Sequence, residues 1–169
     1  MESIVRLASL TISNIKNVRN GQIIMPNTYR KHLSYRNAEV LGVYGQNGSG
    51  KTAVIDALYY LHRIMIGHPL EDKIVDYIDA KSDCGEISAN FNIFTEDVIY
   101  EVSYTIVLQK SEKYAMIVRE TLSCAINQGN SRSNKTVFMD YKRIDRVDIF
   151  SPKKRLDEVI EAGRENRTD

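Results

Sequence analysis

The chain has 169 residues, of which 43% are hydrophobic and 27% charged, a composition that supports one packed domain and argues against wholesale disorder. With a formal net charge of +1, bulk electrostatics argue neither for nor against a nucleic-acid partner. The two cysteines, Cys84 and Cys124, have no CxxC spacing, and His32, His62 and His68 form no spaced ligand set with them, so neither a disulfide scaffold nor a zinc site is expected.

The N-terminus carries no apolar stretch of signal-peptide type, and no window approaches the length of a membrane span, so a soluble cytoplasmic protein is expected. Residues 5–13 are rich in Val, Leu, Ile and Thr and read as a strand; Gly21 then punctuates, and 22–25 reads as a second strand in a hairpin with it. Residues 27–37 are polar and read as a surface loop. The run 40–44 is short, apolar and ends at glycine, which fits a strand buried on both faces. A helix is expected over 51–66, with Val54, Leu58, Leu61 and Met65 forming its apolar stripe and Gly67 and Pro69 ending it. A short second helix over 71–79 is expected next.

The pattern then changes. In 87–93 the apolar residues Ile87, Ala89, Phe91 and Ile93 alternate with Ser88, Asn90 and Asn92, and 98–108 repeats that period of two. Alternation of this kind marks antiparallel strands with one wet face. Further strands are expected over 115–127 and 136–141, separated by a Gly/Ser/Asn loop. Ser151 and Pro152 read as the cap and first turn of a closing helix whose apolar side is Leu156, Val159 and Ile160. The last residues, 164–169, are polar.

The chemistry lies between the apolar run and the first helix. Gly45, Gln46, Asn47, Gly48, Ser49, Gly50, Lys51 and Thr52 match the phosphate-loop pattern G-x-x-x-x-G-K-[ST] at every fixed position. Glycines permit positive φ angles and let backbone N–H groups approach phosphate oxygens, and the helix that follows adds the partial positive charge of its N-terminus. Lys51 brings a full charge to the β- and γ-phosphates and is the residue assigned a catalytic role. The Thr52 hydroxyl is a hard oxygen suited to Mg²⁺. The cofactors expected are therefore ATP and Mg²⁺. No acidic second motif accompanies the loop: 147–150 is too short, and Glu101 falls on the polar side of an alternating strand.

The order strand, hairpin strand, Gly45–Thr52 loop and Ile55-Asp56-Ala57-Leu58 resembles the N-terminal part of ABC-type ATPase heads of the SMC, RecF and OLD kind, within the wider AAA-type ATP-binding proteins. Leu10-Thr11-Ile12-Ser13-Asn14-Ile15-Lys16-Asn17 is similar to that family's opening strand and its exit into a loop. The resemblance covers roughly residues 1–127, and its specific part is the phosphate loop with the helix after it. It implies an α/β P-loop core (1–80) with an antiparallel β-meander lobe (85–141), to which the residues themselves add the closing helix (150–166). It further implies a head that dimerises around two ATP molecules to control a DNA transaction or an antiviral defence. The family's signature motif, acidic strand and switch histidine are missing here. The resemblance therefore casts the chain as the N-terminal portion of a longer ATPase, completed by a C-terminal half, with little turnover of its own. Gln109 would stand where that family has its Q-loop glutamine, although a surface glutamine at a turn is the plainer reading.

Two other readings are a self-contained P-loop kinase, which needs parallel strands after the helix, and a nucleotide-sensing module that binds without hydrolysis. Among the remaining residues, Asp56 reads as a capping or solvated helical aspartate and the ten tyrosines as core packing. The basic cluster Lys153-Lys154-Arg155 reads as a solvated helix start.

Overall fold

The computed structural model describes residues 3–26, 40–96, 98–129, 131–154 and 157. Strand β1 (Ile4–Ile15) turns at Lys16 and Asn17 into β2 (Val18–Ile24), its antiparallel neighbour. Helix α1 (Lys51–Met65) and a 3₁₀ turn (Asp72–Tyr77) follow. A meander completes the order: β3 (Cys84–Phe94), β4 (Ile99–Lys110), β5 (Ala115–Gln128), the two-residue β6 (Ser131–Arg132), β7 (Thr136–Ile144) and β8 (Val147–Ser151). The strands form one sheet in the order β2-β1-β3-β4-β5-β7-β8, with β6 pairing to β5.

The pairing of β3 with β1 decides the architecture. Both β2 and β3 are antiparallel to β1, so they run in the same direction with β1 between them. Strands so arranged cannot be joined by a tight turn; the chain must cross one face of the sheet, and α1 lies on that crossing. Register then sorts the side chains by face. Leu10, Ala89, Tyr104 and Leu122 stand in one cross-strand row, and Ile12, Ile87 and Ile106 in the next. These rows meet Ala53, Ala57, Tyr60 and Leu61 of α1 in a single apolar cluster, with Ala57 and Ile106 fully buried. The opposite face carries polar rows instead, Ser9–Asn90–Ser103–Ser123 and Thr11–Ser88–Thr105–Thr121. Asn90 donates to Ser9 Oγ at 2.8 Å and accepts from Ser103 at 2.6 Å, so hydroxyl and amide groups pair across strands.

Several expectations stand corrected. The fold is an antiparallel β-sheet with α1 on one face, not an α/β P-loop core: every strand pair among the described residues is antiparallel. Residues 85–141 are not a separate lobe, because β3 pairs along β1 and makes one sheet of hairpin and meander. The run 40–44 is not a strand. Val40 and Tyr44 are 91% and 94% exposed, for a run buried on both faces needs strand neighbours that this topology does not provide.

Of the expected stripe, Leu61 is buried and Val54 packs against the core, while Leu58 and Met65 are exposed with Ile55 and Tyr59; the rest of the buried face is Ala53, Ala57 and Tyr60. Alanines allow the closer approach to the sheet, and α1 is apolar on both sides. The second helix is the 3₁₀ turn. Residues 147–150, too short for the acidic second motif, lie in the edge strand β8. The strands expected over 5–13, 87–93, 98–108, 115–127 and 136–141 are present, each somewhat longer or shifted by a few residues. The loop 27–37, the apolar side of the closing helix and the polar tail lie outside the described residues.

Two predictions follow from the core. Ile106→Ala should destabilise the fold by about 2–5 kcal/mol in chemical unfolding, since the lost side chain leaves a cavity at the centre of the sheet. Tyr104 is 5% exposed and donates to Glu120 Oε1. Burial, then the neighbouring Glu120, pushes its phenol pKa well up. An unfolded tyrosine ionises near pH ~10 while the native one stays neutral, so stability should fall as pH rises past that value. Tyr104→Phe should lose less stability over the same alkaline range, and equal alkaline slopes for the two proteins would contradict the assignment.

Candidate phosphate-binding site

The Gly45–Thr52 segment runs into the first turn of α1. Gly48 and Gly50 have φ angles of 84° and 92°, in the left-handed region that glycine occupies without strain. Ser49 N donates to Gln46 O at 3.2 Å, closing a tight turn, and Val54 N donates to Gly50 O at 3.3 Å as the helix begins. Gly50 is the N-cap residue and supplies no side-chain cap, and the first turn contains no acidic residue. The N–H groups that open a helix lack intrahelical partners, so their partial positive charge here is met by no carboxylate of that turn. Gly45 to Ser49 are exposed, and so is Thr52.

The Lys51 ammonium donates to Gly45 O at 2.6 Å and to Gln46 O at 2.7 Å. It thus folds back over its own loop and occupies the concavity with a positive charge held by two carbonyl oxygens.

Three residues of the β1–β2 turn, which sequence reasoning did not single out as a site, hold this segment in place. Asn17 donates through its side-chain amide to Gly48 O. Val18 lies against Gly50, where its Cγ2 would be 2.4 Å from an added Cβ. Lys16 forms an ion pair with Asp56 on α1, a charge contact rather than an aligned hydrogen bond, and lies 4.5 Å from the centroid of the Tyr77 ring. Asp56 is therefore neither a cap nor simply solvated: Lys16 takes up its charge. The available signal was the pair Lys16-Asn17 at a two-residue hairpin turn, a position where Asn is favoured.

The other candidates lie elsewhere. Glu101 faces the polar side of the sheet and pairs with Arg132. Gln109 is exposed near the end of β4, opposite Cys84 and Met116. The tyrosines divide: Tyr60 and Tyr104 are core residues, Tyr60 stacking edge-on with Tyr77 at 4.8 Å between centroids, while Tyr44 and Tyr59 are exposed. No group of three or more His, Cys, Asp or Glu residues suited to a metal occurs among the described residues.

No protein-family model matches this chain, and no curated protein or solved structure was found to match it. The resemblance to ABC-type ATPase heads is overturned by the fold. An antiparallel sheet with α1 on one face is unlike a P-loop ATPase core, and no family match supports the kinship. The kinase alternative fails the same test, since the strands after α1 are antiparallel. No helix among the described residues is long and apolar enough to cross a membrane.

The two loop glycines differ in a way that can be measured. Both need positive φ, but a Cβ on Gly48 meets nothing within 4 Å, whereas one on Gly50 meets Val18. Gly48→Ala should cost only the backbone strain, about 1–2 kcal/mol. Gly50→Ala should cost clearly more in the same unfolding experiment, because the stiff Val18 side chain or the turn itself must shift. Equal costs would show that β2 does not press on the loop.

Proposed function

We propose that Gly45–Thr52 binds the phosphates of a nucleoside triphosphate, ATP with Mg²⁺, and that the chain works as a nucleotide-binding module. The observation that carries this reading is the complete phosphate-loop pattern placed at an uncapped, acid-free helix start, with Gly48 and Gly50 in the conformation that such a loop requires. Backbone N–H groups from Gly48 to Thr52 would face the β- and γ-phosphates. Lys51 would leave the carbonyl oxygens of Gly45 and Gln46 for phosphate oxygens, exchanging two neutral acceptors for charged ones. Mg²⁺, when bound, neutralises phosphate charge; Thr52 is the residue that would hold it, with phosphate oxygens and water completing its shell. The nearest helical carboxylate, Asp56, is engaged by Lys16.

Binding without appreciable turnover is the form of this reading that the residues favour. Phosphoryl transfer depends on charge neutralisation and on a group that positions the attacking water. Lys51 and Thr52 supply the first. For the second, the sequence offers no acidic strand motif, and Glu101 is paired with Arg132. Dimerisation around ATP, a C-terminal partner half, and DNA or defence targets rested on the family resemblance alone and gain no separate support from these residues.

Titration calorimetry tests the reading. Wild-type protein should bind Mg-ATP, and Lys51→Ala should weaken that binding by about 1.5–3 kcal/mol, the worth of a hydrogen bond to a charged group. Equal affinity in the two proteins would overturn the assignment. A phosphate-release assay on the same samples should show turnover far below about one per second.

A further inference from the structure

A cavity of about 320 Å³ adjoins the loop. It is lined by Ile12, Val18 and Ile23 of the β1–β2 hairpin, by Val43 and Val54, and by Ser49, Gly50 and Lys51. Tyr44, almost wholly exposed, stands at its margin. The void is therefore continuous with the residues that would hold phosphate, and its volume falls at the lower end of the range for small-molecule sites. Its lining combines the branched aliphatic side chains with the polar Asn20, Gln22, Ser49 and Lys51, so it offers a heterocycle apolar faces together with hydrogen-bonding groups that a bare phosphate would use only at the loop end.

We propose that this cavity is the nucleoside subsite: the base and ribose of the bound nucleotide lie between the β1–β2 hairpin and Val43, with the Tyr44 ring against the exposed side of the base. This rests on the phosphate-site reading above and adds to it where the organic half of the ligand goes. Aromatic stacking on a base is sequence-tolerant, so the subsite favours nucleotides over bare phosphates before it distinguishes one base from another. Seating the nucleoside here also gives the exposed 40–44 segment an apolar contact, because Val43 (44% exposed) would be covered by the ligand.

The test compares Mg-ATP with Mg-tripolyphosphate on the full 169-residue chain. Wild-type protein should bind ATP about tenfold or more tightly than tripolyphosphate, a difference of ~1.4 kcal/mol. Val43→Phe fills the cavity from its partly exposed margin; it should bring ATP down to the affinity of tripolyphosphate and leave tripolyphosphate binding unchanged. Equal affinity of the two ligands for wild type, or an ATP preference that survives Val43→Phe, would overturn the subsite while leaving the phosphate loop intact. Failure of wild type to bind tripolyphosphate at all would overturn the phosphate reading and the subsite with it. If Val43→Phe does not fold, photolabelling of wild type with azido-ATP decides the matter: label on the peptides carrying Val18–Ile23 or Val43–Tyr44 supports the subsite, and label confined elsewhere refutes it.

Discussion

The seating of α1 on the sheet is the constraint on which the rest of the molecule depends. Ala53 and Ala57 present almost no side chain, so the helix axis can come close to the row of Ile12, Ile87 and Ile106, and Tyr60 and Leu61 fill the space beyond. Because α1 begins at Lys51, fixing the helix fixes the loop that precedes it. The β1–β2 turn then locks the same end from the side through Asn17, Val18 and Lys16. A loop of glycines would otherwise sample many conformations, and the entropy of ordering it would count against any ligand. Here the order is already present at that end, supplied by the apolar packing of α1 and by the hairpin turn beside it.

This arrangement also accounts for the state of Lys51. An ammonium beside a helix N-terminus is in an unfavourable field, and two carbonyl oxygens at 2.6 and 2.7 Å offset it. In the proposed reading, a phosphate would satisfy both partners together, the ammonium and the helix dipole. Lys16 cannot readily act as a second cation there, since Asp56 and the Tyr77 ring already hold it.

The strands of the meander were legible in the sequence because a period of two over Ile87–Ile93 and again up to Leu108 admits few other structures. The start of the helix at Lys51 was equally legible, for it is a local pattern. What the sequence concealed was non-local. Nothing in the composition of 84–94 says that this strand returns to β1, yet that one pairing turns an expected α/β core into a continuous antiparallel sheet. The same concealment explains Val40–Tyr44, whose apolar run implies burial only if strands exist to bury it. The face of α1 was misread for a related reason: Leu58 and Met65 are larger than Ala53 and Ala57, but closeness of approach, not size alone, chose the buried side. The family resemblance drew on these local signals and inherited their blindness to pairing.

The central claim is that an anion of the triphosphate type sits on the backbone amides of the loop. The most direct measurement is a ¹H–¹⁵N correlation spectrum of the labelled chain titrated with Mg-tripolyphosphate. The account predicts that the largest shifts fall on the amides of Gly48, Ser49, Gly50, Lys51 and Thr52, with smaller ones at Asn17 through its bond to Gly48. Unmoved loop amides at saturating ligand, or shifts concentrated on the polar face around Asn90 and Arg132, would contradict it.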